Sequence, residues 1–147
     1  NAADNQFEGR GGNDVFNLTG GGRDTLMYRL LASSDATGGN GADSVNAFTL
    51  GTFEATPHAD RNDLRELLVG YRADGDGAAR YINGVATIDA GENIGEYLSV
   101  TVSGGNTTLS IDRDGSGSAY AATPLVTLNG VTTDLATLLA NHQLVLA

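Results

Sequence analysis

The chain has 147 residues, enough for one domain with a modest core. Its 18 acidic against 8 basic residues leave a formal charge of −10, which argues against nucleic acid or an anionic membrane surface as partner and fits a divalent cation. The absence of cysteine excludes disulfides and zinc-thiolate sites, and no apolar run reaches the ~18 residues of a membrane span.

Glycine is abundant, 21 residues or roughly double the usual ~7%, whereas proline occurs only twice, so the composition is that of a turn-rich folded chain. The N-terminus shows no charged-then-apolar secretory signal. The chain opens at Asn1 and its single methionine is Met27, from which we expect a piece of a longer protein whose repeats continue upstream.

The first 46 residues are organised by one nine-residue pattern, G-G-x-G-x-D-x-U-x, where U is a large apolar residue. Its glycines turn the backbone so that carbonyls point inward, its Asp adds a charged oxygen, and its apolar residue anchors a short strand. A decayed unit comes first, with Asn5 in the Asp position and Phe7 as anchor. The next, Gly9-Arg10-Gly11-Gly12-Asn13-Asp14-Val15-Phe16-Asn17, loses only its second glycine, to Arg10. In the third, around Gly20-Gly21-Gly22-Arg23-Asp24-Thr25-Leu26, Thr19 replaces the first glycine. Only Gly38-Gly39-Asn40-Gly41-Ala42-Asp43-Ser44-Val45-Asn46 matches every fixed position. Turn chemistry alone does not require this joint spacing of glycine, Asp and anchor, so the pattern predicts a calcium β-roll over 1–46. Between the third and fourth units, Leu26 to Leu31 is expected to be a longer strand leaving the roll.

Residues 47–147 read as a β-rich unit that merges with the roll into a mainly β, sandwich-like fold with two short helices. Residues 46–60 are loop-like, with Phe48, Leu50 and Phe53 as core plugs and His58 as a surface residue. A helix is predicted from Asp60 or Asn62 to about Gly70, since Leu64, Leu67, Leu68 and Tyr71 recur at helical spacing. Asp74 and Asp76 form a tight acidic turn with calcium-ligating potential, and Asn83-Gly84 between apolar runs signals a hairpin. Leu98, Val100 and Val102, then Leu109 and Ile111 beyond Ser103-Gly104-Gly105-Asn106, predict an antiparallel hairpin with one buried face. After it, Asp112, Asp114 and Ser116 place oxygens at the first, third and fifth positions before Gly117, as a calcium loop begins. Position twelve is Thr123 and no helix follows, which excludes an EF-hand; the loop is either a calcium site on a sheet edge or an acidic turn capping the hairpin. Leu125, Val126 and Leu128 give a further strand, and Thr133 or Asp134 caps a terminal helix carrying Leu135, Leu138, Leu139 and His142.

Taken together, the nonapeptides, Asp43-x-Val45-x-x-Phe48, Asp63-Leu64-x-x-Leu67-Leu68, Tyr97-Leu98 and Asp112-x-Asp114-Gly115 resemble the C-terminal target domain of RTX proteins exported by type I secretion. Among these, the large calcium-dependent bacterial biofilm adhesins are most similar. The resemblance implies a secreted or cell-surface module, expected to be a monomer that inserts in no membrane, with an uncleaved signal read by the ABC transporter complex. It also implies calcium held between turns by the Asp and by carbonyls at the first and third repeat positions. Those positions are Gly9, Gly11 and Asp14; Thr19, Gly21 and Asp24; and Gly38, Asn40 and Asp43. No catalytic set is visible: H-E-x-x-H and G-x-S-x-G are both missing, so the chain itself is expected not to be an enzyme. The tail of a secreted hydrolase and a calcium-dependent sugar-binding module are the alternatives.

Overall fold

The computed structural model describes residues 1–69, 80–82, 85–88, 92–115 and 117–146. Its first five strands are very short: β1 (Gln6–Phe7), β2 (Val15–Asn17), β3 (Thr25–Met27), β4 (Asp43–Asn46) and β5 (Arg61–Asp63). They alternate between two parallel sheets, so that β3 pairs with β1 and β5, and β2 with β4. Each strand is two to four residues long and carries the residue at the repeat's anchor position, or Asn62 in its place, toward the core. Register brings these residues into rows. Phe7, Leu26 and Asn62 are neighbours in one sheet, and Phe16 and Val45 in the other. Phe7 and Phe16 face each other across the sheets with ring centroids 6.1 Å apart.

The chain then leaves this stack for a three-stranded antiparallel sheet, β6 (Arg80–Ile82), β7 (Val85–Ile88) and β8 (Glu92–Asn93), and a one-turn helix α1 (Ile94–Tyr97). Ile82 pairs with Val85, so these strands form the hairpin signalled by Asn83-Gly84, two residues outside the described set. The predicted second hairpin is present as β9 (Leu98–Ser103) and β10 (Asn106–Ile111), with Thr107, Leu109 and Ile111 on its buried face.

Strand β11 (Thr123–Asn129) completes the architecture by pairing on both sides, antiparallel to β10 and parallel to β4, with Leu128 beside Val45. Helix α2 (Leu135–Ala140) follows; Asp134 is its cap, accepting the Thr137 N–H at 2.7 Å, while Leu138 and Leu139 are buried. Finally β12 (Leu144–Val145) joins β5 in parallel, with Leu144 beside Asn62. Nine strands thus form two sheets, in the orders β1-β3-β5-β12 and β2-β4-β11-β10-β9. Both sheets take strands from either side of residue 46. Their inner faces share one apolar cluster that runs from Leu18 to Leu146. Mainly β with two short helices is therefore the fold, and among the described residues no helix is long and apolar enough to cross a membrane.

Two expectations are corrected. The stretch from Leu26 to Leu31 is not a long strand: β3 ends at Met27, and Leu30 and Leu31 are 42% and 47% exposed. Asn40 holds the Arg29 carbonyl through its side-chain amide, and Gly38 accepts the N–H groups of both Leu31 and Ala32, which curls the segment into a closed insert. Nor is there a helix from Asp60 to residue 69. Arg61 to Asp63 form β5, and Leu64 to Leu67 make a single turn closed by a 3.0 Å bond. Leu64, Leu67 and Leu68 are buried as the helical spacing requires, but a three-residue strand followed by a turn buries them as well. Pairing with β3 and β12 decides the outcome over helix propensity. Only one of the two predicted helices, α2, sits where the sequence places it; the other helix of the fold is α1.

Candidate metal centre

The repeat Asp residues stand at or just before the start of a strand, on the two flanks of the stack. On the first flank, Asp43 Oδ1 accepts the Asp14 N–H at 2.8 Å, and Asn13 Oδ1 accepts the Ala42 N–H at 3.0 Å. These bonds tie turn 9–14 directly onto turn 38–43. Glycine is required at the contact: Gly41 has a φ of 77°, and a Cβ there would collide with the Gly12 carbonyl. Gly9 packs equally closely against its own turn, since a Cβ on it would lie 2.6 Å from Asp14 Oδ2.

The second flank repeats the arrangement twice. Asp24 Oδ1 accepts the Asn5 N–H at 2.9 Å, and Asp60 Oδ1 accepts the Asp24 N–H at 3.0 Å. Asp60 Oδ2 also takes the Thr49 N–H. Asn5, Asp24 and Asp60 thus form one column, and Asp60, expected to cap a helix, is the repeat carboxylate that sequence reading missed. In that turn His58 has the left-handed φ of 62° that glycines adopt elsewhere, and its Nδ1 accepts the Gly22 N–H at 2.9 Å. Only an Asp followed two residues later by the strand's inward residue could have marked this unit, and here that residue is Asn62 rather than an apolar one.

Burial governs the electrostatics of both columns. Asp24, Asp43 and Asp60 are 2%, 4% and 2% exposed. Loss of water pushes Asp43 and Asp60 up to about 6, an effect that bonds from backbone N–H groups only partly offset and that the neighbouring Asp14 or Asp24 adds to. These carboxylates are thus reluctant to ionise unless a positive charge joins them. Asp14 Oδ2 is buried with no hydrogen-bond partner. Oxygen donors alone make a site for a hard cation such as calcium. Among the described residues no three His, Cys, Asp or Glu side chains converge, so an ion held here must draw on backbone carbonyls too.

The other expected ligands divide unevenly. Gly11 and Gly39 approach closely across the two turns, with a Cβ on Gly11 falling 3.1 Å from the Gly39 carbonyl. Asn40 is 2% exposed, its amide committed to the Arg29 and Thr37 carbonyls, and the Gly38 carbonyl already serves two N–H donors within the insert. Gly21, with a φ of 75°, lies under the His58 ring, while Thr19 is exposed.

In the loop after β10, Asp112 Oδ1 and Asp114 Oδ1 are buried without partners. Burial and the adjacent Asp114 raise the Asp112 carboxyl. For Asp114 burial opposes ionisation, yet N–H bonds from Ala119 and Tyr120 and its pairing with Asp112 bring it below the usual range. Ser116, Asp74 and Asp76 lie outside the described residues.

Between the two carboxylates, Arg113 turns the opposite way. It is 1% exposed, donates to the carbonyls of Leu67, Ser33 and Asp35 at 2.9 to 3.0 Å, and lies 4.5 Å over the Tyr120 ring. This strut, fixing the insert before the complete repeat, has no signal in the sequence beyond a basic residue in an acidic loop.

No protein-family model matches the chain, and no curated protein or solved structure is significantly similar to it.

Proposed function

We propose that this chain is a non-enzymatic calcium-binding module whose N-terminal coils form an RTX-type β-roll. The observation that carries the reading is the stacking of Asp14 on Asp43 and of Asp24 on Asp60, each pair linked by a carboxylate-to-N–H bond at the mouth of parallel strands. In the absence of cation these buried carboxylates weaken the fold, and a divalent ion converts the same groups into a fastening. A site with a dissociation constant of ~0.1 mM adds roughly 1.4 kcal/mol in millimolar calcium and almost nothing at submicromolar levels. Two or three such sites amount to several kcal/mol, comparable with the net stability of a domain.

This is the behaviour needed by the C-terminal module of a large secreted adhesin that stays unfolded in the cell, leaves through a type I ABC transporter complex and becomes rigid outside. Residues 9–14, 19–24 and 38–43 are the proposed calcium turns, and Asp60 joins Asp24 in the second column. The loop at Asp112 and Asp114 is a further calcium candidate.

Two measurements test the proposal. Calorimetric titration of calcium-free protein with calcium and with magnesium is expected to show selective calcium binding together with a rise in melting temperature. Identical melting in calcium and in chelator refutes the calcium part. Fused behind a passenger, residues 1–147 are expected to direct its export by a type I system; a passenger that stays in the cytosol refutes the secretion part.

A further inference from the structure

The first flank has an oxygen that the nonapeptide pattern does not supply. Tyr28, the residue after β3, is held by a 3.1 Å bond from its backbone N–H to the Asp63 carbonyl and is only 3% exposed. Its hydroxyl is buried with no hydrogen-bond partner, as is Asp14 Oδ2. The phenol is close enough to Asp43 and Asp14 that their charges, after burial itself, oppose its ionisation.

Packing does not account for the hydroxyl. The paired position in the next strand segment is Leu64, and the corresponding residue after β2 is Leu18; both are buried apolar side chains. A phenylalanine would fill the same space without leaving a donor unpaired in the core. A neutral donor beside two carboxylates is suited to orient an oxygen bound to a cation that the carboxylates hold.

We infer that Tyr28 is a positioning residue for a hard divalent cation between the turns ending in Asp14 and Asp43, its hydroxyl donating to a water molecule on that ion. The inference rests on the calcium reading above. It makes this site different from the Asp24 and Asp60 column, where His58 and Thr49 supply the neighbouring contacts and the buried hydroxyl beside Asp24, that of Thr25, already accepts a bond from Arg61.

The test compares the parent chain, Tyr28→Phe and Asp43→Asn by calorimetric titration with calcium, alongside melting in chelator. Tyr28→Phe is expected to weaken the calcium site that Asp43→Asn abolishes by about tenfold, the worth of roughly 1.4 kcal/mol. It is also expected to melt in chelator at or above the parent, since an orphaned donor has been removed. Unchanged calcium affinity in Tyr28→Phe overturns the inference while leaving the calcium reading intact. Equal loss of stability in chelator and in calcium assigns the hydroxyl to the fold and overturns it too. A parent chain that binds no calcium removes the reading and the inference together.

Discussion

Asp43→Asn separates the electrostatic cost of the first flank from its proposed use. The Asp43 carboxyl is raised from 3.8 to about 6 in the folded chain, chiefly by burial. For an acid this means the metal-free fold favours the protonated form. The fold keeps its full stability below about pH 4 and loses it as pH rises through 6, by ~1.4 kcal/mol per unit or about 3 kcal/mol at neutral pH. Asparagine is never charged and retains an oxygen for the Asp14 N–H, so at pH 7.5 in chelator the variant is expected to be more stable by up to about 3 kcal/mol. For a chain of this size that corresponds to a melting temperature higher by roughly 5 to 10 °C. At pH 4 the difference disappears, and in millimolar calcium the variant's advantage shrinks by the roughly 1.4 kcal/mol that a ~0.1 mM site contributes, because a ligand has been lost. Thermal melts followed by circular dichroism under the three conditions provide the readout. A variant that melts below the parent in chelator at pH 7.5, or whose advantage persists at pH 4, would refute the reasoning.

Three other outcomes are expected. In calcium-depleted buffer the parent chain loses stability between pH 4 and 7, because Asp43 and Asp60 both ionise at about 6 in the fold; saturating calcium reverses that slope, and a melting series over this range checks it. Asn62→Leu gains about 1–3 kcal/mol in a urea titration, since Asn62 is 1% exposed and neither atom of its side-chain amide has a partner. Arg113→Met costs on the order of 3 kcal/mol by the same assay, because the carbonyls of Leu67, Ser33 and Asp35 lose a shared donor; Arg113→Lys does not rescue it, a single ammonium being unable to reproduce the fork.

Local chemistry accounts for what could be read from the sequence. The turns ending at Asp14, Asp24 and Asp43, the hairpin of β9 and β10 and the Asp134 cap all depend on residues within a few positions of one another. Strands β5 and β12 were not legible, because two or three residues cannot display a period and their neighbours are supplied by distant parts of the chain. Leu64, Leu67 and Leu68 were correctly expected in the core but assigned to the wrong element, since burial alone does not distinguish a helical face from a turn after a strand. Asp60 followed from that error: taken as a helix cap, it could not be recognised as the partner of Asp24, 36 residues earlier. Tyr28 and Arg113 escaped because their surroundings are three-dimensional and leave no mark at fixed spacing.

The parallel pairing of Val45 with Leu128 and of Asn62 with Leu144 has a kinetic consequence. Coils whose turns are nearly complete by residue 46 receive their closing strands only from the far end of the sequence. Contacts of such long range are slow to form, because loop closure must precede any gain from them. The acidic turns therefore precede in the chain the strands that close them, and their consolidation waits for β11 and β12 to dock.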